Sequence, residues 1–262
     1  MKSITFLLLS ALVFLQANGQ RLPNVQQIGV KLPANVKIDG KATEWNDQMQ
    51  AYNTTSDISY TMANNNELLY LVIQAKDVNI INTIFGYGFE LAIHRGGRKD
   101  EKDKIAVTYP LNPNQWANTF RKTDVSGDTA VSAATERMNT NNSKITKLKK
   151  LIVSGIPGMD TISVYNDAGI LAACQFDIKG VYTVEMAIPL KLLGLKRDSE
   201  STFTYHMALT GYVAPKITTV MDMQGNKLPM TPEAEQGIAE LNARIYARNP
   251  RTDFWGEYTL AK

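Results

Sequence analysis

Cysteine and histidine are almost missing from this 262-residue chain. Its one cysteine, Cys174, can form neither an intramolecular disulfide nor a cysteine-rich zinc site, and its two histidines, His94 and His206, leave little imidazole chemistry. The apolar context ILAACQFDI predicts that Cys174 is a small, inert core residue rather than a reactive thiol. Most enzyme classes that depend on thiols or imidazoles are therefore excluded.

An excess of charge of one sign is also absent. The chain has 28 lysines and arginines against 25 aspartates and glutamates, a formal net charge of +3. This charge is too small and too scattered to form the basic stripe that phosphate backbones attract, so no nucleic-acid partner is expected. With 20% charged and 44% hydrophobic residues, the composition indicates one main globular domain.

Sequence motifs of common catalytic centres are missing as well. The chain contains no H-E-x-x-H, no G-x-S-x-G, no Walker-type loop and no dinucleotide-binding glycine pattern. Glycoside hydrolysis needs only two carboxylates, and Glu90 and Glu185 are candidates for its acid and nucleophile. Glutamates are common on solvent-facing strands, and one polar loop is a poor source of a deep cleft, so we expect a protein that is not an enzyme.

The N-terminus carries an apolar run, Phe6 to Leu15, that is too short to cross a bilayer. Lys2 precedes this run, and small residues follow it at Ala17 and Gly19. This pattern predicts a signal peptide over residues 1–19 and a folded domain over residues 20–262, exported to the periplasm or the outside of the cell. No cysteine lies near the cut to carry a lipid anchor, and no transmembrane segment is expected after cleavage.

Short runs rich in β-branched and aromatic residues recur between turn signals, as in an all-β protein. The pattern predicts an antiparallel β-sandwich of the jelly-roll type. Asp167 and Gly169 predict a hairpin between MDTISVY and ILAACQFDI, and Lys179-Gly180 marks a second turn. Residues 112–143 are polar and predict a long surface loop, whereas Thr231-Pro232 begins one late helix.

Side chains alternate across a strand, which separates a core face from an outer face. In FELAIH, in YTVEMAI and in FTYHMALTGY, the large apolar residues fall on one side. Glu90, His94, Glu185 and His206 all fall on the other side. Together with the alanines between them, these polar groups predict a surface that binds a sugar or another polar ligand. An ordinary solvated sheet face is the alternative.

The three tryptophans either stack on a sugar ring or fill a core. Trp45 and Trp255 sit beside strand-like apolar segments, and this position favours packing. Trp116 lies in the polar stretch PNQWANTF, which favours an exposed stacking role alongside Phe120 and Tyr87. A residue that only anchors the loop is the alternative for Trp116.

Five segments follow one another in a recognisable order: VKIDGKATEW, ELLYLVIQAKD, FELAIH, YTVEMAIPLKLL and FWGEYTL. This order resembles that of the family 9 carbohydrate-binding module, from Val36 to Leu260. The resemblance implies a β-sandwich without catalytic activity that binds glycan ends, in a family commonly attached to secreted polysaccharide-degrading enzymes. Some members carry structural calcium, so a calcium ion is the one cofactor that the resemblance allows.

The resemblance also implies site residues, with clear departures. Glu90 falls at the position of the family glutamate that hydrogen-bonds the sugar. The two family tryptophans that sandwich the sugar are replaced here, and so is the family arginine on the strand after FELAIH. The residues found instead are Ile84, Phe85 and Tyr87 before FELAIH, Tyr246 or Asn249 before the closing strand, and Ala106 for the arginine.

The sequence therefore predicts an exported, non-catalytic β-sandwich that binds a glycan or polysaccharide. The predicted ligand-binding residues are Tyr87, Glu90, His94, Trp116, Glu185 and His206. A structural or interaction protein of the cell envelope, which has lost sugar binding and takes a protein partner, is the second interpretation. A glycoside hydrolase that uses Glu90 and Glu185 is the third.

Overall fold

The computed structural model describes residues 21–46, 48–95, 101–114, 120–125, 130–195, 202–211, 218–248 and 251–262. The segment assigned to the signal peptide lies outside these ranges, so export stays a prediction. None of the helices in the described ranges is both long and apolar enough to cross a membrane.

Twelve strands in the described chain form two six-stranded sheets. Sheet A contains β1 (Val30–Lys31), β2 (Ala51–Asn53), β3 (Ile58–Asn64), β4 (Leu68–Ala75), β9 (Leu171–Phe176) and β10 (Tyr182–Pro189). Sheet B contains β5 (Phe89–His94), β6 (Lys104–Tyr109), β7 (Lys150–Ser154), β8 (Thr161–Ser163), β11 (Thr202–Leu209) and β12 (Thr252–Thr259). The strand order in sheet A is β1-β3-β4-β10-β9, and β2 pairs with β3 as well. The strand order in sheet B is β12-β11-β5-β6-β7-β8. Apart from the parallel pair β1 and β3, the pairs are antiparallel, which confirms the predicted β-sandwich.

The core lies between the two sheets and follows the predicted alternation of side chains. Its members include Phe89, Leu91 and Ile93 of β5, Val184, Met186 and Ile188 of β10, and Phe203, Met207 and Leu209 of β11, each at most 2% exposed. The hydroxyls of Tyr60 and Tyr205 meet at 2.9 Å and join sheet A to sheet B in the middle of this core. Cys174 is a partly buried residue packed against the core, and burial raises the pKa of its thiol, as expected of an inert side chain.

Four helical segments accompany the sheets: α1 (Val78–Tyr87), α2 (Lys122–Val125), α3 (Val131–Ile145) and α4 (Pro232–Arg248). α4 is the predicted late helix, and the Thr231 hydroxyl caps it by accepting a hydrogen bond from the Ala234 amide at 3.2 Å. α1 was not predicted. Its N-cap is Asp77, whose carboxylate accepts from the backbone amides of Asn79 and Ile80, and the helix carries the chain from sheet A to sheet B.

The polar stretch over residues 112–143 is not a loop throughout, because α3 occupies its second half. Ala134 and Ile145 of α3 are buried. The Asn142 carboxamide donates to the Phe176 carbonyl at 3.0 Å and accepts from its amide at 2.8 Å. α3 thus covers part of edge strand β9. The sequence does not indicate this role, because the stretch contains few apolar residues.

The turn at Asp167 and Gly169 does not form the predicted hairpin. β8 before it belongs to sheet B and β9 after it belongs to sheet A, so the turn passes between the sheets. The Asn166 carboxamide holds this crossing by donating to the Ser163 and Ile170 carbonyls at 2.8 and 2.6 Å. The turn at Lys179-Gly180 does join two paired strands, β9 and β10.

The outward side of sheet A is covered by the segment that precedes β2. Trp45 stacks on Tyr70 with 5.7 Å between ring centroids, and its indole N–H donates to the Tyr70 hydroxyl at 3.2 Å. Other members of this small cluster are Leu32, Ala42, Met49, Ala63, Val72 and Ala187. The packing role predicted for Trp45 is confirmed.

The backbone conformation at residue 40 explains why glycine follows Ile38 and Asp39 in the segment VKIDGKATEW. The φ of Gly40 is +84°, and a Cβ there would lie 2.5 Å from the carbonyl carbon of Cys174. We expect Gly40→Ala to lower the free energy of unfolding by about 3 kcal/mol, because positive φ and a backbone clash add together. Gly158→Ala is the matched control, since Gly158 has φ +78° and open space around it, and should cost about 1 kcal/mol. Urea unfolding measures both, and equal losses would contradict the proposed contact.

Candidate functional site

One polar surface stands out on the outer side of sheet B. Pairing of β12, β11 and β5 places Asp253, Ala208 and Glu90 in one row. The next row contains Trp255, His206, Ala92 and Ala106. We call this surface the Trp255 face and define it by Glu90, Lys104, His206, Asp253 and Trp255.

Glu90 and Lys104 form an ion pair across the Trp255 face, with 3.4 Å between Glu90 Oε1 and Lys104 Nζ. Lys104 lies opposite His94 in the register, so its side chain extends past Ala92 and Ala106 to reach the carboxylate. Both partners remain partly exposed, which leaves carboxylate and ammonium accessible to a ligand.

His206 and Trp255 form the second half of the surface. His206 Nε2 lies 2.8 Å from Asp253 Oδ2, a hydrogen bond that fixes the imidazole ring. The indole of Trp255 stacks on this ring with 4.4 Å between centroids and 24° between planes. Trp255 is half-buried on the outer face rather than in the core, so the core packing predicted for it is wrong.

His94 lies on the predicted face but beneath its surface. It is 1% exposed, and its ring centroid lies 4.9 Å from that of Trp255. Its ring nitrogens are sealed and make no hydrogen bond within the described part of the chain. His94 therefore supports the indole and does not itself meet a ligand from solvent.

Of the two aromatic residues predicted to bind a ligand, Tyr87 and Trp116, only Tyr87 lies within the described residues. Tyr87 is the last residue of α1, and its carbonyl accepts from the Thr210 hydroxyl at 2.7 Å, just beyond the end of β11. This contact puts Tyr87 beside the Glu90 end of the Trp255 face. Trp116 and Asn249 lie outside the described residues.

Glu185 does not belong to this surface, which corrects the prediction from strand alternation. It lies on β10 in sheet A and is fully buried beneath the Asp39–Gly40 turn. Its carboxylate accepts from the Asp39 and Gly40 amides at 2.9 and 2.6 Å and from the Tyr70 hydroxyl at 2.5 Å. Alternation gives the side of a strand but not its sheet, and here an added layer covers that side.

The environment of Glu185 perturbs its ionisation. Burial raises its pKa from 4.5 to about 7, and the three hydrogen bonds offset this effect only in part. Because Glu90 and Glu185 lie on different sheets, they cannot act as the acid and nucleophile of one glycoside hydrolase site. That catalytic pair is excluded.

No protein-family model and no curated protein matches the chain. Two solved structures of a family 9 carbohydrate-binding module from Caldicellulosiruptor kristjanssonii do. The complex with glucose shares 14% identity over 89% of this chain and 95% of that chain, with a TM-score of 0.36. The complex with cellotriose shares 12% identity over 89% and 92%, with a TM-score of 0.37. The chain is similar to this carbohydrate-binding module. The order of segments in the sequence resembles the same family.

Three members of the Trp255 face escaped the prediction of site residues: Lys104, Asp253 and Trp255. The alternation of side chains in KIAVTY and TDFWGEYT does indicate that these three residues face away from the core. There Lys104 shares a side with Ala106, and Asp253 and Trp255 lie opposite the core residues Phe254 and Tyr258. The pairing of β11 with both β5 and β12 was missing from the sequence, and only this pairing brings the side chains together.

A calcium ion has no evident site in the described ranges, where no three His, Cys, Asp or Glu side chains are grouped to hold a metal. Asp103, in the mixed-charge segment RGGRKDEKD between β5 and β6, is paired with Arg95. Asp100 of the same segment lies outside the described residues.

Proposed function

We propose that this protein is an exported, non-catalytic carbohydrate-binding protein that holds a neutral glycan on the Trp255 face. One observation carries the proposal: an aromatic ring, Trp255, is fixed by stacking on His206 beside two hydrogen-bonding pairs, Glu90 with Lys104 and His206 with Asp253. An indole supplies a flat apolar surface for the C–H face of a sugar ring.

The polar pairs complement sugar hydroxyls, each of which both donates and accepts. Glu90 and Asp253 offer carboxylate oxygens as acceptors, while the Lys104 ammonium donates. Because two carboxylates face one ammonium, the surface does not favour an anionic ligand. This balance supports a neutral glycan over an acidic one.

The absence of catalysis is supported by the same pairs. Glu90 is paired with Lys104 and Asp253 with His206, so the two carboxylates do not form an unpaired acid and nucleophile facing one bond. A glycan bound on the Trp255 face keeps its bonds intact.

Replacement of Trp255 tests the binding role. Trp255→Ala should weaken binding of cellotriose or of a neutral polysaccharide about tenfold, which corresponds to roughly 1.4 kcal/mol of lost stacking. Tyr165→Ala is the matched control, because Tyr165 is 77% exposed on another part of the surface. Isothermal titration calorimetry and affinity gels measure the effect, and Tyr165→Ala should bind like wild type.

Two results would overturn the proposal. One is a wild-type protein that fails to bind glucose, cellotriose or any of a panel of neutral polysaccharides. The other is Trp255→Ala binding with unchanged affinity while circular dichroism shows a folded protein. Release of reducing sugar by the wild type would contradict the non-catalytic part alone.

A further inference from the structure

A cavity of about 480 Å³ lies on the outer side of sheet A, on the opposite side of the sandwich from the Trp255 face. It opens between the Gly40–Thr43 segment and α3, which contributes Met138. This volume falls within the range of small-molecule sites in proteins.

The floor of the cavity is a row of three neutral hydrogen-bonding side chains. Gln74, Thr183 and Gln175 are directly opposite one another on β4, β10 and β9, and all three line the cavity. The Gln74 carboxamide donates to the Thr183 hydroxyl at 3.4 Å, and Thr183 is 3% exposed. The Gln175 carboxamide makes no hydrogen bond to the described part of the chain, so it is available to a ligand.

Both walls of the cavity are held in place without a ligand. On one side, the hydrogen bonds to Glu185 hold the Asp39–Gly40 turn down on β10, two residues from Thr183. On the other side, the Asn142 carboxamide ties α3 to the backbone of Phe176. A site whose walls are fixed in advance loses less entropy when a ligand binds.

The charges at the rim do not select an ion. Lys41 lies 3.5 Å from Asp39, which neutralises it, and Asp177 is a half-buried residue at the far side. Met138 and Ala42 add apolar wall. Apart from Lys41 and Asp177, whose carboxylate accepts from the Val181 amide at 2.8 Å, the lining combines uncharged donors and acceptors with apolar surface, the combination that suits a neutral sugar residue with adjacent hydroxyls.

We propose that this cavity is a second saccharide-binding site, independent of the Trp255 face. The carboxamides of Gln74 and Gln175 each donate to one hydroxyl and accept from its neighbour. The apolar side of the sugar residue lies against Met138. The protein then has sites on opposite sides of the sandwich and can join two glycan chains.

Cellotriose titration of the ¹⁵N-labelled protein, followed by NMR, tests this proposal. We expect shifts of the side-chain amides of Gln74 and Gln175, besides shifts at the Trp255 face. Gln175→Leu should weaken binding at the cavity about tenfold, the effect of one lost hydrogen-bonding group, and should leave the Trp255 face unchanged. Gln224→Leu, in an exposed turn, is the control and should behave like wild type.

The pattern of shifts separates the two proposals. Shifts that persist at the cavity in Trp255→Ala support the second site even if the first one fails. Shifts confined to the Trp255 face up to the solubility limit of cellotriose overturn the second site and leave the first intact. If circular dichroism shows that Gln175→Leu is unfolded, Thr183→Val tests the loss of binding at the cavity with a smaller change in side chain.

Discussion

Glu185→Ala will lower the free energy of unfolding by about 4 kcal/mol at pH 6. The oxygens of this carboxyl group accept hydrogen bonds from two backbone amides and one phenol, all in a buried environment. Without it, each donor loses a partner, at about 1 to 3 kcal/mol for a donor that stays buried. Some relief comes from movement of the Asp39–Gly40 turn, so the total falls below the sum of the three.

Urea unfolding followed by circular dichroism measures this loss. Glu257→Ala is the matched control, because Glu257 is also a strand glutamate but is exposed on β12, and its removal should change stability by less than about 0.5 kcal/mol. A Glu185→Ala variant as stable as Glu257→Ala would show that the turn does not depend on this carboxylate. Because the Asp39–Gly40 turn is also a cavity wall, the same variant should lose cellotriose binding at Gln175 but keep it at the Trp255 face.

Stability of the wild-type protein should fall as the pH rises from about 4.5 to about 7. Burial raises the pKa of Glu185 from 4.5 to about 7, so between these values the folded protein keeps a proton that the unfolded chain has lost. Its contribution is complete below pH 4.5 and is lost as the pH passes the folded-state value. At about 1.4 kcal/mol for each pH unit, the total is about 3 kcal/mol.

Glu185→Gln isolates this group, because it removes the titration and keeps an oxygen to accept from the Asp39 and Gly40 amides. The difference in unfolding free energy between wild type and Glu185→Gln should therefore shrink by about 3 kcal/mol from pH 4.5 to pH 8. Subtracting the variant's curve removes the contributions of other titrating groups. A difference that does not change with pH would mean that Glu185 keeps its ordinary pKa in the folded protein.

The two proposed binding sites depend on different parts of the fold. The Trp255 face needs only the pairing of β5, β6, β11 and β12 within sheet B. The cavity needs the layer over sheet A, which Glu185 and Asn142 hold in place. Variants that loosen this layer should therefore affect one binding site and spare the other.

Local alternation was sufficient to determine much of the sandwich from the sequence. Phe89, Leu91 and Ile93 were predicted in the core and lie there, because the period of a strand is two and burial of apolar area selects one side. The late helix was predicted for a similar reason, since Thr231-Pro232 is a strong start signal. These signals lie within a few neighbouring residues, so no distant partner is needed to read them.

What the tertiary structure decided was which elements meet. Glu90 and Glu185 look alike in their strands, yet one lies on a partly exposed face of sheet B and the other lies beneath the Asp39–Gly40 turn. The alternation in TDFWGEYT gives the side of β12 on which Trp255 lies, but only the pairing of β12 with β11 places its indole against His206. Strand pairing and the covering of a face depend on contacts between residues far apart in the chain, and local side-chain patterns do not encode them.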